Sequence, residues 1–201
     1  MKNLSKTMIS LVILIALGGL SSCASLPLAQ PNPQIQFLNN LKKHCGQAFK
    51  GRLVSTDAVD ADFANKDLIM HVSTCEINEV KVPFNVGKDR SRTWVISKTD
   101  KGLRLKHDHR HQDGTEDELT QYGGDTATKG TAQRQDFPVD DFSITLFNRT
   151  NKQVSVTNIW AVEIIPGKIF AYELRRANRH FRIEFDLTKP VSTPPPSWGH
   201  E

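Results

Sequence analysis

The 201-residue sequence predicts a mainly β protein, with one antiparallel, barrel-like domain behind a single N-terminal helix. About eight or nine strands are expected, with a β-sandwich as the alternative packing. Three observations lead there. Many segments alternate apolar and polar residues, the period-two repeat of a half-buried strand. Turn-forming pairs such as Asp100-Lys101, Pro166-Gly167 and Ala177-Asn178 separate them at short intervals. One stretch near the N-terminus instead repeats its apolar residues at three- and four-residue steps.

The chain opens with Lys2 and Lys6 and no acid, then an apolar run from Met8 to Leu20, then Leu20-Ser21-Ser22-Cys23. A basic end, a short apolar core and small residues read as a secretion leader over residues 1–22. The run falls short of the ~20 apolar residues that span a bilayer. Leu20-Ser21-Ser22-Cys23 resembles a bacterial lipobox, a likeness confined to the N-terminus. It implies a lipid on Cys23, which becomes the first mature residue, and a membrane as partner through that lipid. Ala24, where an acid would imply inner-membrane retention, implies the outer membrane. Several acyl chains hold stably where one holds weakly. Residues 23–34, "CASLPLAQPNPQ", then form a Pro-rich tether.

Without the leader the formal charge drops from +4 to about +2, mixed along the chain. That is an ordinary surface with no nucleic-acid footprint. Removing Cys23 leaves Cys45 and Cys75, an even pair suited to an oxidising compartment. They are expected to bridge; two buried free thiols are the alternative. No CxxC pattern points to redox catalysis.

The β domain is expected over residues 35–187. Ile35, Leu38, Leu41, Cys45 and Phe49 predict a helix from Ile35 to Lys50, with Cys45 on its buried side and Gly51 as its stop. "EVKVPFNV" places Val80, Val82, Phe84 and Val86 inward, and its Pro83 suggests an edge strand or a bulge. "DLIMHVSTC", "VTNIWAVEII" and "HFRIEFDL" are further strands, and a short helix or turn follows Pro138. Residues 188–201 form a Pro-rich, extended tail outside the core.

Hairpin geometry fixes the faces. With Asp100-Lys101 as a two-residue turn, Ile96 pairs Leu105, Trp94 pairs His107 and Arg92 pairs His109. Two-residue turns at Pro166-Gly167 and Ala177-Asn178 align Phe170 with Phe185, Tyr172 with Ile183 and Leu174 with Phe181. That geometry also places Ile159, Ala161 and Glu163 inward, with Trp160, Glu173 and Arg182 on the opposite face. An inward Glu163 needs a partner or a proton unless it sits wet at the barrel end. The alternating faces and single helix make the chain similar to calycin-like, lipocalin-type barrels, a fold-level resemblance that carries no activity.

The stretch "LRLKHDHRHQDG" raises the functional question. Leu103 and Leu105 share parity with His107, His109 and His111, so the inward row turns from apolar to polar. Three readings stand. The strand leaves the core and the histidines are solvated. Or Arg92, Trp94, His107, His109 and Tyr172 line a cavity for a small anionic or aromatic molecule. Or His107, His109 and His111 hold zinc or copper, helped by Asp113 or Glu116; i and i+2 imidazoles on a strand point the same way.

"QDGTEDELTQYGGDTATKG" reads as a strand remnant and a mobile loop at the mouth, without an EF-hand pattern. Asp108 points away from His107 and cannot pair with it, and no GxSxG, HExxH or Walker pattern is present. Catalysis is therefore the weaker expectation. "LKHDHRHQDGTEDELTQYGGDT" also resembles segments of uncharacterised bacterial envelope proteins, which implies no activity. The functions left open are small-molecule binding, a structural or interaction role with envelope proteins, and metal binding.

Overall fold

The computed structural model describes residues 31–200. The leader and Cys23 lie outside them. Helix α1 (Pro33–Lys42) starts where its sequence favours a start. Asn32 accepts a hydrogen bond from the Gln34 amide at 2.9 Å, and Pro33 sits in the first turn, where a missing N–H costs nothing. The domain thus begins inside the expected tether.

The expected helix to Lys50 is corrected. α1 stops at Lys42, Gly46 takes a φ of 77°, and Phe49 belongs to strand β1 (Ala48–Leu53). Phe37, Leu38 and Leu41 form the buried face, while Ile35 is 37% exposed. Cys45 is exposed in the turn after α1 and is bonded to Cys75 in β3 (Thr74–Cys75). The bridge spans 30 residues. It stabilises by ~3–4 kcal/mol in the chain-entropy account.

The remaining strands are β2 (Leu68–His71), β4 (Glu79–Val86), β5 (Asp89–Lys98), β6 (Leu103–His109), β7 (Tyr122–Asp125), β8 (Arg134–Pro138), β9 (Ile159–Ile165), β10 (Ile169–Arg176) and β11 (Arg179–Val191). Ten strands follow one another in the order β7-β6-β5-β4-β2-β1-β11-β10-β9-β8, and β3 pairs with β4 off this path. All pairings are antiparallel, and the sheet curls into a nearly closed barrel. The barrel fold is as expected, with more strands than the eight or nine anticipated. Pro83 is not at a sheet edge. It lies where the neighbour of β4 changes from β2 to β3, just before a register shift between Phe84 and Val86.

The β5–β6 register is the expected one: Ile96 faces Leu105, Trp94 faces His107 and Arg92 faces His109. The β10–β11 register also agrees. β9 does not. Ile165 pairs with Ile169, so three residues, not two, make that turn. One added residue turns every side chain of β9 to the other face. Trp160, Val162 and Ile164 are the buried inward row. Glu163 points outward, 3.5 Å from both Arg134 and Arg182. It joins an outer-face ion lattice centred on Glu173. Burial alone would raise the Glu173 pKa, but Arg134, Arg182 and Arg175 around it hold it down to about 2.

The interior is packed, not hollow. Ile96, Leu103, Leu105, Phe170, Phe185 and Trp160 are each fully buried, and α1 joins the same core through Phe37, Leu38 and Leu41. Gln34 and Asn40 bond to Thr126, Thr128 and Ala132, fixing α1 against the end of the barrel that holds the Thr99–Gly102 turn. The ladder continues past Leu187 to Val191. The expected free tail folds back: Ser197 is buried against Thr93, and the Trp198 amide donates to Arg90 O.

Closure rests on the seam between the two free edges, β7 and β8. Gly124 bridges Val139, and the Asp140 amide donates to Gly123 O at 3.0 Å. A side-chain carbon on Gly124 would stand 1.8 Å from Pro138 O, so the edges meet only because none is there. Helix α3 (Asp141–Arg149), where a helix or turn was expected, locks the seam. Its Ser143 hydroxyl accepts from Gly123 N and donates to Asp140 Oδ1 at 2.7 Å, while Asp140 also caps the helix and pairs with Lys106. Gly124→Val is expected to lower stability by ~3 kcal/mol or more, the upper range for overpacking, in urea denaturation. Gly167→Ala, with open space around the added carbon, should cost only its left-handed backbone penalty of ~1–2 kcal/mol.

Candidate functional site

The end of the barrel opposite α1 contains a cavity of about 190 Å³. Strand parity builds it. β5 and β6 run upward from their hairpin with Ile96, Leu103 and Leu105 filling the floor, and Trp94 and His107 form the next layer. Arg92 and His109 form the rim. Tyr172 reaches the same layer from β10. The five residues anticipated as a ligand site therefore line one cavity. Larger surface depressions exist, of about 550 Å³ under the C-terminal segment and about 380 Å³ beside the start of α1. Their walls include many exposed loop or tail residues, such as Asp100, Lys101, Thr193 and Pro196. The buried rings of Trp94, Phe84, Tyr172 and Phe181 converging on one point distinguish the smaller concavity, which opens to solvent at its mouth.

Its wall is an aromatic stack. Trp94 lies between neighbours that are nearly parallel to it, Phe84 at 4.8 Å and 12° and Tyr172 at 4.4 Å and 15°. His107 stacks on Tyr122 at 4.5 Å and 15°. Phe63 meets Phe181 edge to face at 5.1 Å. Such pairs each contribute ~0.5–1.5 kcal/mol beyond area burial.

His107 is 2% exposed. Its Nδ1 lies 3.0 Å from the Tyr122 carbonyl, which only accepts, so Nδ1 carries the hydrogen. The bare Nε2 then accepts from the Tyr172 hydroxyl at 2.7 Å. Both nitrogens are satisfied in the neutral ring. Burial, then the neighbouring His109, pushes the His107 pKa down to about 3. Burial and the Arg92 charge take His109 down to about 4, and burial pushes the Tyr122 phenol well above its ordinary value. The His107, His109 and Tyr122 side chains that line the cavity are thus uncharged at neutral pH.

The metal arrangement does not form. His107 has no free lone pair, His109 Nε2 lies 3.4 Å from the Tyr122 hydroxyl, and His111 is exposed in the turn beyond β6. Asp113 bonds Thr115, and Glu116 bonds Arg110 and Gln121. Among the described residues no group of three His, Cys, Asp or Glu side chains is placed to hold zinc or copper. Asp108 does point away from His107; it pairs with His200 at 2.8 Å and with Arg110.

Other lining residues escaped the sequence. Phe84 and Phe181 lay on legible inward rows but were not assigned to the cavity. Tyr122 lay in the stretch read as a mobile loop. That stretch is tied down by Asp117 N to His109 O and Gln121 N to His107 O, and Tyr122 opens β7. Asp60 and Phe63 come from the segment joining β1 to β2, which crosses the mouth as a short 3-10 turn (Ala58–Asp60) and helix α2 (Ala61–Ala64). No periodicity marks them. Arg179 fastens this segment, bonding Asp60 through both terminal nitrogens at 2.6 Å and Asp57 at 2.9 Å.

Two measurements follow from this geometry. The unfolded imidazole of His107 protonates near pH 6.5 and the folded one near 3, so the unfolded state binds the extra proton between them. Stability should therefore fall as pH drops from about 6.5, and His107→Gln should flatten the slope by up to ~1.4 kcal/mol per pH unit in urea titrations. Arg179→Gln should speed amide exchange across residues 54–66 while leaving β5 and β6 protected, as read by hydrogen-exchange mass spectrometry. No family model, curated protein or solved structure matches this chain.

Proposed function

We propose that this protein is a lipid-anchored component of the bacterial envelope that holds a small molecule in the cavity at the open end of its barrel. The observation that carries the binding half is the cavity itself. Side chains pack the barrel below Trp94, and above it twelve residues from the strands and the mouth segment line an open concavity of about 190 Å³. An aromatic-walled space with a few polar groups is the usual form of a ligand site.

The envelope half rests on the leader, the lipobox-like Leu20-Ser21-Ser22-Cys23 and Ala24 behind it. The disulfide between the two remaining cysteines suits an exported chain. The outer membrane is the destination that Ala24 favours. An outer-surface role with envelope partners is the second reading, drawn from the ion lattice around Glu173. Its charges already pair with one another, so it offers a partner little unmet charge.

Cells fed an alkyne-bearing fatty acid should label the wild-type chain and not Cys23→Ala; equal labelling of both would reject lipidation at Cys23. Protein isolated from its source should carry a small noncovalent adduct in native mass spectra. Leu174→Trp, which fills the cavity from its half-buried rim, should remove that adduct. An adduct retained by a folded Leu174→Trp would place the ligand elsewhere.

A further inference from the structure

We infer that the ligand is a small, uncharged aromatic molecule of one ring, and that the cavity discriminates against charged analogues of the same shape. This rests on the cavity-binding reading above and adds the ligand's chemical class. Size comes first. About 190 Å³ is below the ~300–1,000 Å³ of sites for drug-sized ligands. It is near the ~150 Å³ that an engineered protein cavity needs for benzene. One ring with one or two small substituents fits, and a fatty acid or tetrapyrrole does not.

Wall chemistry comes next. Phe63, Tyr122 and Leu174 are half-buried and present apolar surface to the space, beside the half-buried Arg92, His109 and Arg179. Behind them Trp94 and Phe84 are already stacked and buried. An aromatic guest extends a set of rings that prefer offset and edge contacts at 4.5–7 Å.

Charge decides the rest. Three lining residues carry formal charge, and each already touches a counter-ion. Arg179 holds Asp60 and Asp57, Asp60 is 3% exposed and bound at both oxygens by Arg179, and Arg92 is bonded to Asp89. His107 has both nitrogens engaged as a neutral ring. A charged guest would give up part of its hydration and meet only side chains whose charges are already paired, a cost with no compensating ion pair. A neutral guest needs only a hydrogen-bond partner for its polar substituent. Tyr122 Oη, 3.4 Å from His109 Nε2 at the rim, donates to that nitrogen and keeps a lone pair that can accept from a guest.

Benzamide, benzoate and benzylammonium have similar shape and differ in charge. The full mature protein is titrated with each near pH 7 by isothermal calorimetry and ligand-observed NMR. Benzamide is expected to bind at least about tenfold more tightly than either ion, and Leu174→Trp to abolish its binding. Phe63→Trp serves the same purpose if Leu174→Trp fails to fold. Benzoate or benzylammonium binding as tightly as benzamide would overturn the ligand class and leave the cavity reading standing. No binding of any probe, together with no native adduct, would end the cavity reading itself. Benzamide binding unchanged in folded cavity-filled variants would overturn the assignment of this class to this site.

Discussion

Everything in the upper barrel depends on burial keeping His107 neutral. A charged imidazole there would have a fixed carbonyl on one nitrogen and a phenol on the other, with no carboxylate in contact. As the neutral ring it links β6 to β7 through Tyr122 and to β10 through Tyr172, tying strands from both halves of the sheet. It also holds the Tyr172 ring against Trp94. The stack, the hydrogen bonds and the uncharged imidazole are one arrangement, because each ring fixes its neighbour's orientation.

Two different physical regimes operate on the two faces of the same strands. Inside, polar atoms are few; the two ring nitrogens of His107 are satisfied, while Trp160 Nε1 and Gln135 Oε1 are buried without a protein partner among the described residues. Outside, Arg134, Arg175 and Arg182 surround Glu173 across β8 to β11 and cover Ala161, which is fully buried though it faces outward. Parity alone assigns a residue to a face. It does not say whether that face is wet, and Ala161 shows that long charged side chains can shelter a small one.

How much was legible follows from which signals are local. The β5–β6 hairpin could be read in full because its two-residue turn and two apolar rows agree, so Arg92, Trp94, His107 and His109 fell into place together. β9 was read on the wrong face for a single reason: Pro166, Gly167 and Lys168 all lie in the turn, and one uncounted residue reverses Trp160 and Glu163. The helix from Ile35 was overextended because Phe49 continues its spacing by coincidence; Gly46 stops it sooner. Asp60 and Phe63 were invisible. Their place over the mouth depends on Arg179, 119 residues away from Asp60, and no local pattern carries that distance.

The Cys45–Cys75 bond joins the turn behind α1 to the strand pair at the closed end. That makes the plug of the barrel conditional on its surroundings. Where thiols stay reduced, the helix must hold its place by packing alone. Where they oxidise, the plug becomes a covalent part of the wall. Completion of the fold is thus coupled to the chemistry of the compartment, and a chain retained among reductants would keep its strands but guard its base less firmly.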